Sequence, residues 1–352
     1  MRVFVTGGAG YIGSTMARVL LEDSHEVTVF DDLSQGHRAA VPRACRFCHG
    51  DLSDARRVKQ ALRRSKPDCV MHFAASIQVG ESVDSPGKYF QNNVINGVNL
   101  LNALAELHVP RIVFSSSAAV YGTPRRVPIS ETAPLNPSNP YGGTKKVFEV
   151  LLDEYHKATG LDYVSLRYFN VVGAYRGAGE DHRPETHIVP LILKTCLGRQ
   201  RVFEIYGDDY PTPDGTCIRD YVHVHDLGRA HLLALKSRNV NCAYNLGSQH
   251  GFSVKQVFAA ARAATGVRIP YRIVERRGGD VARSGWIPGL TRIPSLKHKD
   301  MKRGVQIADY RMQSAKCRFT LTSVICILQS AIRFCSLPCS LALLLPLLVS
   351  HA

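Results

Sequence analysis

The chain has one tryptophan in 352 residues, only 29 acidic residues against 44 Lys and Arg, and no stretch that repeats at a fixed period. The missing repeat excludes a solenoid or propeller. Of ten cysteines, Cys45 and Cys48 form the only close pair in the first 300 residues, with no second pair at zinc-site spacing in that part of the chain. That is read as a chance pair in a reduced protein, with no structural disulfide and no metal site. Met1 to Val5 lacks a basic segment followed by an apolar one, so no signal peptide is expected and the cytoplasm is the expected compartment.

The shortage of acid gives a net charge of +15, but the excess is unevenly placed. Residues 284–352 hold 9 Lys and Arg against 2 Asp and Glu, which leaves 35 against 27 upstream. The basic residues follow no recognition motif and have no stacking aromatics among them, so nucleic-acid binding is not expected. Residues 319–350 are apolar, but Arg333, Pro338 and Pro346 interrupt them, and the longest uncharged run is at the short end of a bilayer span. A membrane anchor is therefore not expected. The mildly basic body suits an anionic substrate.

What is present begins with alternation. Strand patterns at 2–6, 26–30, 68–72 and 111–115 are separated by helical patterns at 11–21, 54–64 and 86–107. A helix over 140–158 and a strand over 162–167 follow. Strands alternating with helices of this length predict an α/β fold, a Rossmann-like doubly wound parallel sheet. After Asn170 the pattern is less regular. Loops rich in Gly, Pro and Asp at 173–186 and 207–220 surround short helices near 187–198, 224–236 and 253–264. The expected organisation is a nucleotide-binding domain over 1–170, a smaller C-terminal substrate-binding domain over 171–283 interleaved with it, and a divergent tail over 284–352.

The first strand runs into Thr6-Gly7-Gly8-Ala9-Gly10-Tyr11-Ile12-Gly13, which opens a helix. Gly7, Gly10 and Gly13 let the backbone turn tightly and approach a pyrophosphate, and the helix N-terminus offers free N–H groups. Asp31 lies 18 residues past Gly13, with Asp32 beside it. A carboxylate there accepts hydrogen bonds from ribose hydroxyls and repels a 2′-phosphate, which favours NAD. Asp51 is placed to meet the adenine. Phe73 and Ala74 lie at the tip of the third strand, where small residues let a cofactor pass.

Ser115, Ser116 and Ser117 end the fourth strand, and Tyr141 and Lys145 stand four apart on one helix face. A lysine ammonium near a phenol favours the phenolate. Ser117 can relay the proton of a substrate oxygen. Tyr141 is thus the expected base, with Lys145 lowering its pKa.

These residues resemble the extended short-chain dehydrogenase/reductase family and, more narrowly, its UDP-glucose 4-epimerases. The resemblance rests on TGGAGYIGS (6–14), HFAASIQVGESV (72–83), FSSSAAVYG (114–122), NPYGGTKK (139–146), RYFNVVGA (167–174) and YGDDYPTPDGTCIRDYVHVHDL (206–227), and it covers about residues 1–283. It implies NAD held by the glycine loop with Tyr11 and Ile12, by Asp31, Asp32, Asp51 and Leu52, and by Phe73, Ala74, Asn92, Ser115, Tyr141, Lys145 and Phe169. It implies a UDP-sugar met by Ser117 and Asn170, by His187 and Ile188 with Glu204 and Tyr206 around the uridine, and by Arg219, Arg277 and Asp280. It also implies a homodimer built on the helices at 86–107 and 140–158.

Ala118 and Ala119 stand where sugar-nucleotide 4,6-dehydratases need an acid pair, which argues against that branch. Ile77 departs from epimerases that place a lysine near the cofactor. The pocket residue that governs sugar size falls near Ser284, where the resemblance ends, and Trp286 lies in the unmatched stretch. A shifted frame or altered splice would account for that break. Two alternatives stay open: a UDP-arabinose/xylose 4-epimerase, and a non-catalytic NAD-binding protein disabled by its altered C-terminus.

Overall fold

The computed structural model describes residues 1–284 apart from 125–126, 183, 249–250 and 279, and of Ser284 the backbone alone. The expectations placed on the tail, including Trp286 and the apolar segment at 319–350, lie outside the described residues.

In chain order the first part comprises β1 (Arg2–Thr6), α1 (Tyr11–Glu22), β2 (Glu26–Asp31), β3 (Arg46–His49), α2 (Ala55–Ser65), β4 (Cys69–His72), α3 (Val79–Asp84), α4 (Pro86–Phe90), α5 (Asn96–Glu106), β5 (Arg111–Ser117), α6 (Pro140–Thr159) and β6 (Asp162–Tyr168). It continues with β7 (Asn170–Val172), α7 (Ile188–Cys196), β8 (Phe203–Tyr206), β9 (Ile218–His223), α8 (Val224–Lys236), β10 (Cys242–Leu246), β11 (Gly251–Ser253), α9 (Val254–Thr265), β12 (Tyr271–Val274) and β13 (Arg283–Ser284).

Seven strands form one sheet in the order β10-β6-β5-β4-β1-β2-β3, every pair parallel. Strand order reverses between β1 and β4, so the crevice for a ligand opens at the carboxyl ends of those two strands. Alternation along β1 serves both faces. Val3 and Val5 join the core packed with Met16 and Leu20 of α1, while Phe4 points to the opposite core with Leu100, Leu104 and Phe148.

Local chemistry sets the helix ends. Asn139 caps α6 by accepting from the Gly142 N–H, Pro140 occupies the first turn, and Gly160 in the left-handed region closes it. Ser253 and Gln256 form a reciprocal capping box on α9. No helix among the described residues is long and apolar enough to cross a membrane.

Two features differ from the periodicity. The single helix read over 86–107 is α4, a π-helical turn at Gln91–Ile95, and α5. Asn92 and Asn93 explain the wide turn: Asn93 Oδ1 accepts from the Ser76 N–H at 2.7 Å and Asn92 Nδ2 donates to Ser76 Oγ at 3.2 Å. Two adjacent side chains thus reach one residue, which a regular helical turn does not allow. The second difference is β10, which returns to the large sheet beside β6 after the chain has left it, while α8 packs on α1.

The remaining strands make a smaller layer. β9 pairs with β7, β11 and β13, and β8 pairs with β12. Their core joins Val172, Ile192, Phe203 and Tyr221 to Phe258 of α9.

Phe148 links α6 to the sheet: it is fully buried, its ring lies 4.5 Å from that of Phe114 and 5.1 Å from that of His72. Truncation there leaves a large cavity. Phe148→Ala is expected to cost about 3–5 kcal/mol, read as a lower urea midpoint against the parent chain.

Candidate active site

The glycine loop joins β1 to α1 at the reversal point. A Cβ on Gly13 would lie 2.2 Å from the Gly7 carbonyl oxygen, and one on Gly7 would lie 2.5 Å from the Ala74 nitrogen. Gly7 also has a φ of 71°, open to glycine and costly for other residues. A Cβ on Gly10, by contrast, would meet only the Gly7 oxygen at 3.4 Å, so this glycine presents its open face. No side chain caps α1 and no acid lies in its first turn. An uncapped helix N-terminus behind a bare backbone is a fitting cradle for a dinucleotide pyrophosphate.

Asp31 closes this cradle in a way the sequence did not disclose. Its Oδ2 accepts from the Ala9 N–H and its Oδ1 from the Leu33 N–H, each at 2.8 Å. Burial raises its pKa against the pull of these two bonds. Each oxygen keeps a second lone pair, so tying the loop and receiving a ribose hydroxyl are compatible. Asp32 accepts from Ser34, and exposed Asp51 from the Ser53 N–H at 2.7 Å. Leu52 is buried in the core with Phe4 and Phe30. Phe73 lies with its ring 4.9 Å from that of His231, and Tyr11 donates its hydroxyl proton to the Gly173 carbonyl at 2.6 Å. Ile12 packs on the same core as α1.

Ser117 ends β5, and Tyr141 and Lys145 stand on the first turns of α6. Lys145 Nζ donates to the Ser115 carbonyl at 2.8 Å and lies 5.0 Å from the Phe114 ring centroid and 5.8 Å from that of Tyr141. Ser115 Oγ is engaged by the Tyr168 hydroxyl. Burial pushes the Tyr141 phenol up to about 12, and the Ser117 hydroxyl pulls it down only in part. Burial also lowers Lys145 to about 7, against the pull of Glu149. This departs from the expectation that Lys145 lowers the phenol: within the chain alone, removal from water sets the direction, and Ser117 is the group that opposes it.

A network that sequence reasoning missed lies behind this pair. Glu149, one turn beyond Lys145, accepts from Ser116 Oγ and from Arg167, whose Nε lies 3.0 Å from Glu149 Oε1. Arg167 Nη1 reaches the Tyr121 hydroxyl at 2.7 Å, and that hydroxyl donates to Asn245 Oδ1 at 2.8 Å. The i, i+4 spacing of Lys145 and Glu149 was the available signal. Phe169 is buried beside Val120 and Tyr121.

Residues assigned to the sugar nucleotide lie on the smaller layer. Asn170 Nδ2 donates to the Asp220 carbonyl at 3.0 Å. Arg219 donates to the Val281 carbonyl at 2.7 Å and pairs with Asp280 at 3.3 Å. The Arg277 guanidinium lies 4.3 Å from the Tyr206 ring centroid, and the Tyr206 hydroxyl donates to Glu204 at 3.0 Å. His187 precedes α7, which begins at Ile188. Its Nδ1 lies 2.8 Å from Glu185 and 3.0 Å from Glu180. Burial disfavours the His187 cation, yet Glu180 and Glu185 outweigh it and raise its pKa to about 10.

A glycine cradle at the reversal point of a parallel sheet, with a Ser–Tyr–Lys set at the adjoining strand end, defines a nucleotide-dependent enzyme that works on a carbon bearing oxygen. The model of the NAD dependent epimerase/dehydratase family matches residues 3–247, and the chain belongs to that family. Among curated relatives, the UDP-glucose 4-epimerase of Lactobacillus helveticus is 49% identical over 285 residues, 80% of this chain and 86% of that protein. The crystal structure of UDP-glucose 4-epimerase from Brucella ovis in complex with NAD is 46% identical, with a TM-score of 0.78 over 81% of this chain and 89% of that one. The enzyme from Bifidobacterium longum, in complex with NAD+ and UDP, is 37% identical, with a TM-score of 0.77 over 82% and 94%.

The depressed Lys145 pKa has a consequence for stability. Between about 7 in the fold and the ordinary 10.5, the unfolded chain binds more protons than the folded one. Stability therefore rises with pH across that window, and the penalty of burying the ammonium is complete below it. For the nucleotide-stripped chain, the denaturation midpoint is expected to climb from pH 7 to pH 9 relative to that of Lys145→Met. Parallel pH dependence of the two would show that Lys145 is not the group responsible.

Proposed function

We propose that the chain interconverts UDP-glucose and UDP-galactose by inverting C4 of the hexose, with NAD bound throughout. The observation that carries this reading is Ser117, Tyr141 and Lys145 gathered at the end of β5 beside a cradle that fits a dinucleotide. Tyr141 takes the proton of the C4 hydroxyl, with Ser117 bridging the two oxygens, and returns it at the end of the cycle. Lys145, fixed by the Ser115 carbonyl, holds the cofactor ribose and supplies positive charge at the phenol. NAD, when bound, supplies the acceptor and donor of the C4 hydride and a nicotinamide cation that favours the Tyr141 phenolate. The 4-keto sugar turns between the two transfers, so the pocket grips the nucleotide and leaves the hexose loose. Asn170 and Arg219 suit the diphosphate, the latter through its fork of donors. His187, Ile188, Glu204 and Tyr206, with Arg277 and Asp280 behind them, suit the uridine end.

The test is conversion of UDP-galactose to UDP-glucose by the purified chain, with bound NAD quantified in the same sample. Tyr141→Phe is expected to lower kcat by about 10²–10⁴-fold and to keep its NAD. Turnover confined to UDP-arabinose and UDP-xylose would select the pentose enzyme instead. Bound NAD without turnover on either sugar class would select the non-catalytic reading.

The same chain is proposed to work as a homodimer. Val83, Phe90, Ile95, Val147 and Val150 are exposed apolar side chains, with Ile95 and Val150 both at 54%. They sit on α3, α4, the π-helical turn and α6, segments that pack on one another and so place apolar surface on neighbouring helices. Burying such a patch against its own copy is the economical use of it. Light scattering is expected to give a dimer for the parent chain and a monomer for the Ile95→Glu, Val150→Glu double variant. A monomeric parent would refute the pairing.

A further inference from the structure

The loop between β7 and α7 holds four side chains, Glu180, His182, Glu185 and His187, of which only His187 has a part in the proposed epimerase chemistry, at the uridine end. Each offers one ligand atom, and all four atoms lie within 4.8 Å of one another. They come from a span of eight residues in the order Glu-x-His-x-x-Glu-x-His. We propose that these residues form a mononuclear site for a divalent first-row transition metal, with zinc the foremost candidate, that fixes the loop leading into α7.

Three observations carry the assignment. The first is the donor set. Imidazole and carboxylate are both ligands that zinc takes, and the same mixture of donors suits iron and manganese. The second is spacing. His187 Nδ1 lies 2.8 Å from Glu185 Oε1 and 3.0 Å from Glu180 Oε1, and His182 Nδ1 lies 3.4 Å from Glu180 Oε1. Ligands about 2.0–2.2 Å from a tetrahedral ion stand somewhat over 3 Å apart, so small outward shifts admit the ion.

The third observation is polar capacity that the protein does not fill. The Glu185 side chain is only 1% exposed, and its Oε2 is buried with no hydrogen-bond partner among the described residues. Buried atoms of this kind are rarely left so. The His182 Nδ1 is buried too, with the Glu180 carboxylate at 3.4 Å as its nearest acid. The other Glu185 oxygen accepts from the Thr186 and His187 N–H groups, each at 2.8 Å. Backbone donors thus orient this carboxylate, as hydrogen-bonded partners do for metal-ligating carboxylates. Two carboxylates and two neutral imidazoles also carry the charge that balances a divalent cation. Glu180 and Glu185 both raise the pKa of the Tyr11 phenol, whose hydroxyl donates to the Gly173 carbonyl at the start of the same loop.

The rival occupant is a proton on His187 held between the two carboxylates. Metal content separates the two, and it does so whether or not the epimerase reading holds. The full chain, purified with its nucleotide, is dialysed against a chelator, given Co²⁺ and freed of excess ion by gel filtration. About one cobalt per chain is expected, with the visible d–d absorption of a four-coordinate ion and displacement by Zn²⁺. Glu185→Gln is expected to weaken binding by about tenfold or more, and His182→Gln, at a less buried position, to do the same in a chain whose retained nucleotide shows an intact fold. Cobalt uptake no greater in the parent than in nucleotide-bearing His182→Gln would overturn the site and leave an internal ion pair.

Discussion

The buried pair of Glu149 and Arg167 determines where the face of α6 that bears Tyr141 and Lys145 points. Both side chains are more than nine-tenths buried, and the guanidinium meets both carboxylate oxygens. Such a pair adds little net stability, because desolvation offsets most of the attraction, yet removing one partner strands a buried charge at a cost of about 3–5 kcal/mol. Its value lies in direction. Glu149 is one turn from Lys145 and two from Tyr141, so anchoring it to β6 sets the rotation of the helix about its own axis. Ser116 binds the same carboxylate from β5, and Tyr121 and Asn245 extend the network to the segment after β5 and to β10. The phenol therefore stands beside Ser117 through a set of contacts made one layer below it.

The site above this anchor is organised around an unpaid electrostatic demand. Burial favours a neutral lysine and a neutral phenol, and neither is the form the proposed chemistry uses. A cofactor that brings positive charge beside the phenol shifts that balance. Stability and reactivity thus draw on different states of the same two side chains.

Much of this was legible from residues and spacing. The βαβ alternation marks the parallel sheet because strand and helix patterns have distinct periods, and the glycine loop announces its turn through Gly7 and Gly13, where a Cβ has no room. Tyr141 and Lys145 share a face at i, i+4, which also reads directly. Contacts between distant segments did not read. Asn93 with Ser76 depends on a π-helical turn that no periodicity displays, and Arg167 with Glu149 joins a strand to a helix that precedes it. β10 was hidden for another reason: Cys242 to Leu246 is a short, half-buried segment in a region otherwise rich in irregular structure. The four side chains from Glu180 to His187 stand in a loop, where spacing along the chain says little about meeting in space.

The late arrival of β10 bears on how the molecule is made. Strands β1 to β6 and their helices are complete once residue 168 has emerged from the ribosome, yet one flank of β6 then carries unpaired backbone groups. An open strand edge is a template for pairing with another chain. It stays open until some eighty further residues, including most of the smaller layer, have been synthesised and β10 can close it. Until then the nucleotide-binding half carries an open edge at β6 as well as at β3, and β10 closes the former only when those residues have followed.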